Sequence, residues 1–329
     1  MATITEVAQR ANVSPATVSR YLAGERIRAR AVVEAAISDL SYIPNAAARS
    51  LRSGRHGAIG VIVPDVTNPY FAAVVKGIES IARAQSYQVL LGNTDEDARD
   101  EHRLIDRLGS RVDGLIVAPA TETDRAERRT RVPMVYIDRE GPLTAEFDSV
   151  LADNRGGIKL AVDHLCALGH RRIALIAGPL TSTPGRERYE SFFDSLVLAG
   201  RDVMKEYIRV ADFRESGGRD AALGLIGMEI PPTAILVCNN LMTIGALKAL
   251  DECSVPVPQA MSVIGFDDFA LASLLATPLT VVARDEESQG RYAAQLLLAR
   301  IKNPADPQDR QTIRIPTRLI ERRSTSRAE

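Results

Sequence analysis

The sequence predicts an α/β protein with a small N-terminal head of three helices and a body of two doubly wound parallel-sheet lobes. The chain has 329 residues, which at roughly 150 residues per domain suggests two large units and a smaller one. Apolar residues recur at helical spacing in the first 43 residues. From residue 57 onward, short apolar runs alternate with helical segments, which favours parallel sheets covered by helices on both faces.

The head begins with residue patterns that are typical of helix starts. Thr3 and Glu6 fit a capping box at the start of a first helix. Ser14 is placed as the N-cap and Pro15 as the first residue of a second helix, which Gly24 can end. Apolar residues at helical spacing on these two helices and on a third are Ile4, Val7, Ala8, Ala11, Val18, Leu22, Val33, Ala36, Ile37 and Leu40. We therefore expect a three-helix core with the first two helices meeting across a tight turn.

Positive charge is concentrated ahead of residue 56, although the whole chain has a net charge of −1. The basic residues there are Arg10, Arg20, Arg26, Arg28, Arg30, Arg49, Arg52 and Arg55, and the acidic ones are Glu6, Glu25, Glu34 and Asp39. A basic surface attracts a phosphate backbone, although a solvated helix face shows the same bias. In a helix-turn-helix the second helix lies in the major groove, so Ala16, Thr17 and Arg20 on its outward face are candidate base contacts. A small helical bundle with a solvated arginine is the alternative.

Other features of the sequence argue against several classes of protein. The start, MATITEVAQR, lacks a basic segment followed by an apolar run, and no uncharged apolar stretch of about 18 residues follows, so we expect a cytoplasmic protein without a membrane span. Cys166, Cys238 and Cys253 each lie in an apolar segment and are predicted to be buried thiols. The histidines show no metal-ligand spacing, and neither a metal nor a cofactor is predicted. Phosphate-binding glycine loops and nucleophile motifs are absent, so an enzyme is not expected.

The body contains nine apolar runs that predict strands. They are AIGVIVPD, YQVLLGNTD, GLIVAPA, PMVYID, SVLADN, RIALIAGP, YIRVADF, AILVCNN and SVIGFDD. Polar residues collect where these runs end, at Asp65, Asp95, Asp138, Asp153, Asn239 and Asp267. Because ligands of such sheets bind beyond the carboxyl ends of the strands, we expect a polar cleft between the lobes.

Two runs near the N-terminus resemble the lactose-repressor family of transcription regulators. The run ATITEVAQRANVSPATVSRYL resembles that family's helix-turn-helix, and IPNAAARSLRSG resembles the hinge helix that follows it. The body resembles the family's sensor and the related periplasmic sugar-binding proteins over essentially its whole length, and RLIERRST is also of the family type.

This resemblance implies a domain organisation. It places the DNA-binding head at 1–43, a hinge helix and linker at 44–56, and a periplasmic-binding-protein-like body for ligand sensing and dimerisation at 57–329. The final helix, around Glu286 to Ile301, would return to the first lobe. Lobe 1 would then span about 57–154 plus 285–315, and lobe 2 about 155–284 plus 316–329.

The resemblance also implies DNA contacts on the head and the hinge. These are Thr5, Ser14, Ala16, Thr17, Ser19, Arg20, Asn45, Ala48 and Leu51. Leu51 would be the apolar wedge that a pair of hinge helices inserts into the central minor-groove step, and its packing onto the body is the alternative. The stretch from Ala23 to Arg30 is about three residues shorter than the family's usual link into the third helix, which puts the detailed docking in doubt.

Nine positions of the body match the family's pentose-type binding sites. They are Asn68, Tyr70, Phe71, Asp138, Arg139, Arg188, Phe213, Asn239 and Asp267. Carboxylates and guanidinium groups form charge-assisted hydrogen bonds to hydroxyls, and aromatic rings cover the apolar faces of a sugar ring. Each position also has a structural alternative: the two lobe 1 aromatics as core, Asp138 with Arg139 as a surface pair, Asn239 and Asp267 as helix caps, and Arg188 as a solvated residue.

Two positions depart from the family pattern. Asn240 stands where the family usually has an aspartate opening the next helix, so a charge is lost. Arg284 lies where many relatives have a glutamine that contacts sugar. With Arg139 and Arg188 it would give three guanidinium groups facing the cleft, which favours an acidic or phosphorylated sugar. The alternative is that Arg284 points into solvent or pairs with Asp285.

Together these features predict a sequence-specific transcription regulator, expected to be a repressor, that binds operator DNA as a homodimer. A small-molecule effector, a sugar, sugar acid or sugar phosphate, would control DNA affinity by closing the lobes and changing the distance between the hinge helices of the dimer. A transport-type sugar-binding protein without productive operator binding is the alternative. The missing signal peptide and the basic head argue against it.

Overall fold

The structure, a computed structural model, describes residues 2–22, 24–43, 56–122, 130, 132–143, 146–303 and 309–328. The chain divides into two compact units, Met1–Gly57 and Ala58–Glu329. The expected hinge helix, with Asn45, Ala48 and Leu51, lies outside the described residues.

The head consists of the helices α1 (Ile4–Arg10), α2 (Pro15–Leu22) and α3 (Arg30–Asp39). The predicted capping box is present, because the Thr3 backbone N–H donates to Glu6 Oε2 at 2.7 Å and the Glu6 N–H donates to Thr3 Oγ1 at 3.3 Å. Ser14 Oγ accepts from the backbone N–H of Thr17 at 3.2 Å, which satisfies one of the free amides at the start of α2. Gly24 follows α2 with a φ of 82°, a left-handed conformation that glycine adopts without strain. The three helices enclose a core of Val7, Ala8, Ala11, Val18, Val33 and Ala36.

Lobe 1 is a six-stranded sheet in the order β11-β5-β4-β3-β1-β2, and all its strands are parallel. Its strands are β1 (Ala58–Val63), β2 (Gln88–Asn93), β3 (Leu115–Val117), β4 (Met134–Ile137), β5 (Asp148–Ala152) and β11 (Thr312–Ile315). Its helices are α4 (Pro69–Ala84), α5 (Ala98–Gly109) and α10 (Glu286–Lys302). Separate apolar clusters fill the two faces of the sheet, as a doubly wound fold requires.

Lobe 2 is a second six-stranded sheet, in the order β12-β10-β9-β8-β6-β7, in which only the edge strand β12 is antiparallel to its neighbour. Its strands are β6 (Ile173–Ala177), β7 (Ile208–Val210), β8 (Ala234–Val237), β9 (Ser262–Phe266), β10 (Thr280–Arg284) and β12 (Thr317–Ile320). Its helices are α6 (Asn154–Ala167), α7 (Thr183–Leu198), α8 (Glu215–Ile226) and α9 (Asn240–Glu252), with short 3₁₀ helices at Lys205–Tyr207 and Ala270–Ser273. One apolar cluster spans this lobe.

The chain passes between the two sheets at three places, which we call the crossovers. They lie between β5 and α6, between β10 and α10, and between β11 and β12. The carboxyl ends of β1, β4, β8 and β9 meet at the cleft between the lobes, where the expected polar residues lie. Asp153 is an exception, because it caps α6 by accepting from the Gly156 N–H and does not line the cleft.

Each of the nine predicted runs overlaps one of the strands β1 to β9. The prediction of three buried thiols is wrong in part: Cys238 is buried, Cys166 is half-buried and Cys253 is exposed. Cys253 is the C-cap of α9, so its side chain lies beyond the packed face of the helix. No helix among the described residues is long and apolar enough to cross a membrane.

Candidate ligand-binding cleft and nucleic-acid interface

The cleft between the lobes encloses about 520 Å³ of empty space when its solvent-open mouth is included. All ten candidate ligand-binding residues of the sequence line it, namely Asn68, Tyr70, Phe71, Asp138, Arg139, Arg188, Phe213, Asn239, Asp267 and Arg284. Residues separated by more than 200 positions in the sequence thus face one space. Their contact with a ligand stays a prediction.

Asn68, Tyr70 and Phe71 form the lobe 1 wall at the start of α4. Asn68 is the N-cap and accepts from the Tyr70 N–H at 3.0 Å, while Pro69 occupies the first turn. The two rings pack edge to face with centroids 4.8 Å apart, and each residue is only 4% exposed. Both rings belong to the lobe core and also line the cleft, so a place in the core does not exclude the predicted ligand contact. The Tyr70 hydroxyl donates to Gln289 Oε1 at 3.0 Å, and burial raises the pKa of Tyr70 well above its usual value.

Arg284 lies at the centre of the cleft between two carboxylates. Its Nη1 donates to Asp138 Oδ1 at 2.7 Å, and its Nε and Nη2 donate to the two oxygens of Asp267 at 2.7 and 3.2 Å. The guanidinium carbon lies 3.8 Å from the centroid of the Tyr70 ring, a cation–π arrangement. Burial disfavours the charged form of Asp138, but the attraction of Arg284, Arg139 and Arg188 outweighs it and lowers the pKa of Asp138.

Arg284 lines the cleft, as one sequence-based interpretation expected, and the alternative interpretation is wrong. The side chain is 2% exposed and pairs with Asp138 and Asp267, so it neither points into solvent nor pairs with Asp285. The positive charge of Arg284 is also compensated already, because two carboxylates contact the guanidinium group. The argument for an acidic ligand required an uncompensated guanidinium at this position, and that condition is not met.

Arg139 is neutralised by a residue that the sequence did not indicate. Its two terminal nitrogens donate to the two oxygens of Glu96 at 2.6 and 2.7 Å. Burial opposes the charge of Arg139, but Glu96 outweighs it and raises the pKa of the guanidinium. Arg139 and Asp138 are each 4% exposed, which excludes the surface-pair alternative. Glu96 follows the end of β2 by three residues, and only the fold brings it to Arg139.

Arg188 has two hydrogen bonds and a ring contact, and one of its nitrogens has no partner among the described residues. Its Nε donates to Asn154 Oδ1 at 2.9 Å, its Nη1 donates to the carbonyl oxygen of Cys238 at 2.5 Å, and its guanidinium carbon lies 3.6 Å from the centroid of the Phe266 ring. Arg188 is 2% exposed, and its Nη2 is buried without a hydrogen-bond partner among the described residues. Burial therefore lowers its pKa despite the nearby Asp267. The solvated alternative for Arg188 is excluded.

Asn239 and Phe213 complete the lobe 2 wall. Asn239 Oδ1 accepts from the Met242 N–H at 2.8 Å, so the predicted cap of α9 is present, and its Nδ2 donates to the carbonyl oxygen of Phe213 at 2.9 Å. Asp267 pairs with Arg284 rather than capping a helix. Five lining residues have a positive φ, which costs free energy in side-chain-bearing residues: Asp95, Glu96, Asp138, Phe213 and Asp267. Such strain is concentrated at binding sites, where it orients functional groups.

Several contacts cross the cleft directly. Asn240 Nδ2 donates to Asn68 Oδ1 at 2.9 Å, so the neutral residue that departs from the family pattern bridges the lobes. Arg214 pairs with Asp95 at 2.9 Å and Arg186 pairs with Glu122 at 2.8 Å. The two lobes are therefore in direct contact through these three pairs.

The charges around the cleft favour cations slightly over anions. The lining contains the carboxylates of Asp65, Asp95, Glu96, Asp138, Asp212 and Asp267, and the guanidinium groups of Arg139, Arg188, Arg214 and Arg284. Carboxylates thus outnumber guanidinium groups, while hydrogen-bond donors and acceptors are both present. Groups of this kind suit hydroxyls, which donate and accept at the same atom.

The head presents polar and basic side chains on α1, on α2 and in the turn between them. Thr5, Ser14, Ala16 and Arg20 are exposed, while Thr17 and Ser19 are half-buried. The Thr17 hydroxyl lies 2.9 Å from Ser14 Oγ, so part of its hydrogen-bonding capacity is used within the turn. Arg20 has no ion pair with any of the described residues, whereas Arg10 pairs with Asp39 at 2.7 Å. Arg20 is thus available for a phosphate or a base edge.

Both the head and the body are similar to known proteins. Residues 3–45 match the family model of bacterial regulatory proteins of the lacI family, and residues 162–325 match the periplasmic binding protein-like domain. The ribose operon repressor of Escherichia coli K12 is 35% identical over 333 residues, covering 98% of this chain and 100% of that protein. The chain belongs to the lacI family of bacterial regulatory proteins.

Solved structures of lacI-family proteins agree with this assignment. A lac repressor dimer bound to operator and the anti-inducer ONPF matches with a TM-score of 0.87 and 30% identity over 99% of both chains. A lacI-family regulator from Enterococcus faecium with bound ribose matches with a TM-score of 0.72 and 28% identity, covering 83% of this chain and 100% of that one. This lacI-family chain is a DNA-binding transcription regulator of the repressor type with a ligand-binding body.

Proposed function

We propose that this lacI-family protein is a dimeric repressor whose operator affinity is controlled by a small neutral sugar, of pentose size, bound between the lobes. The arrangement of the ten cleft residues carries this proposal. Asp138 and Asp267 would accept from sugar hydroxyls, Arg188 Nη2 would donate to one, and Tyr70, Phe71 and Phe213 would cover the ring faces. Head, hinge and two-lobed body would have the boundaries given by the family resemblance.

The charge distribution favours a neutral ligand. Arg284 and Arg139 are each paired with carboxylates at 2.6 to 2.7 Å, so a ligand carboxylate or phosphate would have to displace an existing partner. It would also enter a space that holds more carboxylates than guanidinium groups. A hydroxyl meets neither obstacle, because it forms hydrogen bonds with both kinds of group while they remain paired.

The ribose-related proteins among the relatives suggest ribose as the first probe. We would titrate the DNA-free protein with ribose, ribonate and ribose 5-phosphate by calorimetry, using arabinose and xylose as neutral stereochemical controls. A neutral pentose should bind at least about tenfold more tightly than the charged members, a difference of about 1.4 kcal/mol. Tighter binding of ribonate or ribose 5-phosphate would contradict the neutral assignment.

The regulatory part of the proposal needs operator DNA. Fluorescence anisotropy with a selected operator should show a change in operator Kd when the bound pentose is added, since two ligands that prefer different states of one protein are coupled. An unchanged operator Kd at saturating sugar would separate a sugar-binding protein from a sugar-controlled repressor. A variant lacking residues 1–56 should retain sugar binding and lose operator binding.

A further inference from the structure

A chain of polar contacts leads from the buried wall of the cleft to an exposed arginine at the crossovers. It runs from Arg188 through Asn154 and Glu187 to Arg314, and we call these last three residues the relay. Asn154 follows β5 at the first crossover, Glu187 and Arg188 are neighbours on α7 of lobe 2, and Arg314 lies on β11 of lobe 1, just ahead of the third crossover. The relay therefore joins both lobes behind the cleft.

Glu187 determines which way the Asn154 side-chain amide faces. Asn154 Nδ2 donates to Glu187 Oε2 at 2.8 Å, and Asn154 Oδ1 accepts from Arg188 Nε at 2.9 Å. A carboxylate can only accept hydrogen bonds, so it selects the amide orientation that turns the oxygen toward Arg188. The opposite orientation would place the amide N–H groups against the Arg188 Nε–H. Asn154 is fully buried and Glu187 is 8% exposed, so water does not substitute readily for either contact.

The fixed amide leaves Arg188 with a single open direction. Nε is bound by Asn154, Nη1 by the Cys238 carbonyl, and the guanidinium plane by the Phe266 ring. Nη2 alone lacks a partner among the described residues, and Arg188 lines the cleft. A buried donor without a partner costs free energy that a ligand hydroxyl would recover, so Arg188 is oriented before the ligand arrives.

Arg314 connects this arrangement to the opposite lobe. Its Nη2 donates to Glu187 Oε1 at 2.9 Å, and its Nη1 lies 3.3 Å from both Glu187 Oε2 and the carbonyl oxygen of Ala152. Ala152 ends β5 at the first crossover. Arg314 lies at the third crossover. It contacts both the Glu187 carboxylate of lobe 2 and the first crossover. The Arg314–Glu187 contacts join the two lobes, so a movement of one lobe relative to the other would act on these distances, whereas the contact with Ala152 lies within lobe 1.

We propose that Asn154 and Glu187 are positioning residues that orient Arg188 for the effector, and that Arg314 couples this orientation to the movement of the lobes. The proposal rests on the proposed function, because it assumes an effector in the cleft. It separates two roles within one polar chain: Glu187 acts on effector affinity, and Arg314 acts on the operator response.

The test uses full-length variants with ribose as the probe. Glu187→Ala should bind ribose about tenfold more weakly without DNA, because the Asn154 amide is no longer fixed. Arg314→Ala should bind ribose within about twofold of the wild type, since Glu187 and Asn154 stay in place. Its ratio of operator Kd values with and without ribose should fall toward one. Glu187→Gln offers a donor as well as an acceptor and lacks the charge that holds Arg314, so it should both weaken ribose binding and reduce the operator response.

Controls separate the relay from a general loss of structure. Arg318→Ala removes an exposed arginine from the neighbouring strand β12, outside the relay, and should leave ribose affinity and operator response unchanged. Arg314→Lys keeps the cation and should recover part of the response. Unchanged ribose affinity in Glu187→Ala, or a full operator response in Arg314→Ala, would overturn the proposal.

A second measurement does not depend on the sugar. In a crystal structure of sugar-free Glu187→Ala, the Arg188 guanidinium should leave its place against Asn154, whereas in Arg314→Ala it should stay. An unmoved Arg188 in Glu187→Ala counts against the relay whether or not ribose binds. Failure of the wild type to bind any neutral pentose would instead count against the proposed function alone.

Discussion

Arg284 compensates two buried carboxylates that would otherwise face each other across the cleft. Asp138 and Asp267 are 4% and 3% exposed, and each lies 2.7 Å from a nitrogen of Arg284. Breaking a buried ion pair leaves an unpaired charge in a poorly solvated place, which costs more than the pair itself contributes. Arg284 is therefore expected to contribute to the stability of the body.

Arg284→Gln should lower the free energy of unfolding by about 3 kcal/mol at pH 7, because both carboxylates lose their cation. In the wild type the pKa of Asp138 is lowered, so its contribution is present above the usual aspartate pKa and is lost as pH falls through the lowered value. Without Arg284, burial should raise the pKa of Asp138. As pH falls, the folded variant should then bind a proton at a higher pH than the unfolded chain does. Its stability should rise from pH 7 to pH 5, where the wild type changes little. Urea unfolding at both pH values checks this.

The double variant Arg284→Gln with Asp138→Asn is the matched control. It removes one of the two facing carboxylates and should recover much of the lost stability at pH 7 and flatten the pH dependence. Equal loss in the single and double variants would show that Arg284 acts by packing on Tyr70 rather than by charge.

The sequence indicated that Arg284 was unusual, but not what it contacts. Its partners lie 146 and 17 positions away, and no local pattern specifies such pairing. Glu96, 43 positions from Arg139, is similar. Ser14 and Asn239 were predictable as caps because capping depends only on the next three residues.

At the scale of elements, each lobe contains a helix pair that packs through glycines. In lobe 1, a Cβ on Gly77 of α4 would lie 2.1 Å from the carbonyl oxygen of Glu287, and one on Gly290 of α10 would lie 2.1 Å from that of Val74. In lobe 2, Gly218 of α8 and Gly245 of α9 approach the partner backbone in the same way. The helices are close enough that backbone meets backbone, so neither glycine of a pair leaves room for a methyl group.

Gly218→Ala should destabilise the body by about 1 to 3 kcal/mol, because the added methyl group would lie 2.3 Å from the carbonyl oxygen of Met242 and the two helices must separate. Gly224→Ala on the same helix is the control, since its Cβ would meet only Arg209 Nε at 3.6 Å. That change should be neutral or stabilise by up to about 1 kcal/mol through helix propensity. Thermal unfolding of the two variants gives the comparison, and equal effects would contradict close helix packing at Gly218.

The strands differ in how far the sequence predicts them. β1 to β9 lie in continuous apolar runs because most are buried on both faces. β11 and β12 are short edge strands with exposed residues, and β12 runs antiparallel to β10. Their pairing joins residues distant in sequence, so local hydrophobicity carries too little signal to predict them.

At the scale of the whole molecule, the proposed homodimer should recognise an inverted repeat, because two identical heads related by a twofold axis read opposite half-sites. Selection from a random DNA pool, followed by anisotropy titration, should return a roughly palindromic operator. Raising the salt concentration from about 50 to about 200 mM should weaken binding by roughly a hundredfold or more, because cations released from the phosphates oppose binding. Recovery of only asymmetric or unrelated sequences would contradict the dimeric mode, and a weak salt dependence would contradict phosphate contacts by the basic head.

The sequence by itself predicted the helix starts of the head, the strands β1 to β9 of the body, the family resemblance, and the ten candidate ligand residues, ranging from Asn68 to Arg284. Short-range rules of capping and periodicity, together with the family motifs, were sufficient for these. Only the tertiary structure decided that Arg284 is compensated by Asp138 and Asp267, that Glu96 neutralises Arg139, and that Glu187 fixes Asn154 against Arg188. The physical reason is that a charge acts through distance in space and through burial, and both are set by how separate segments pack rather than by their order in the chain.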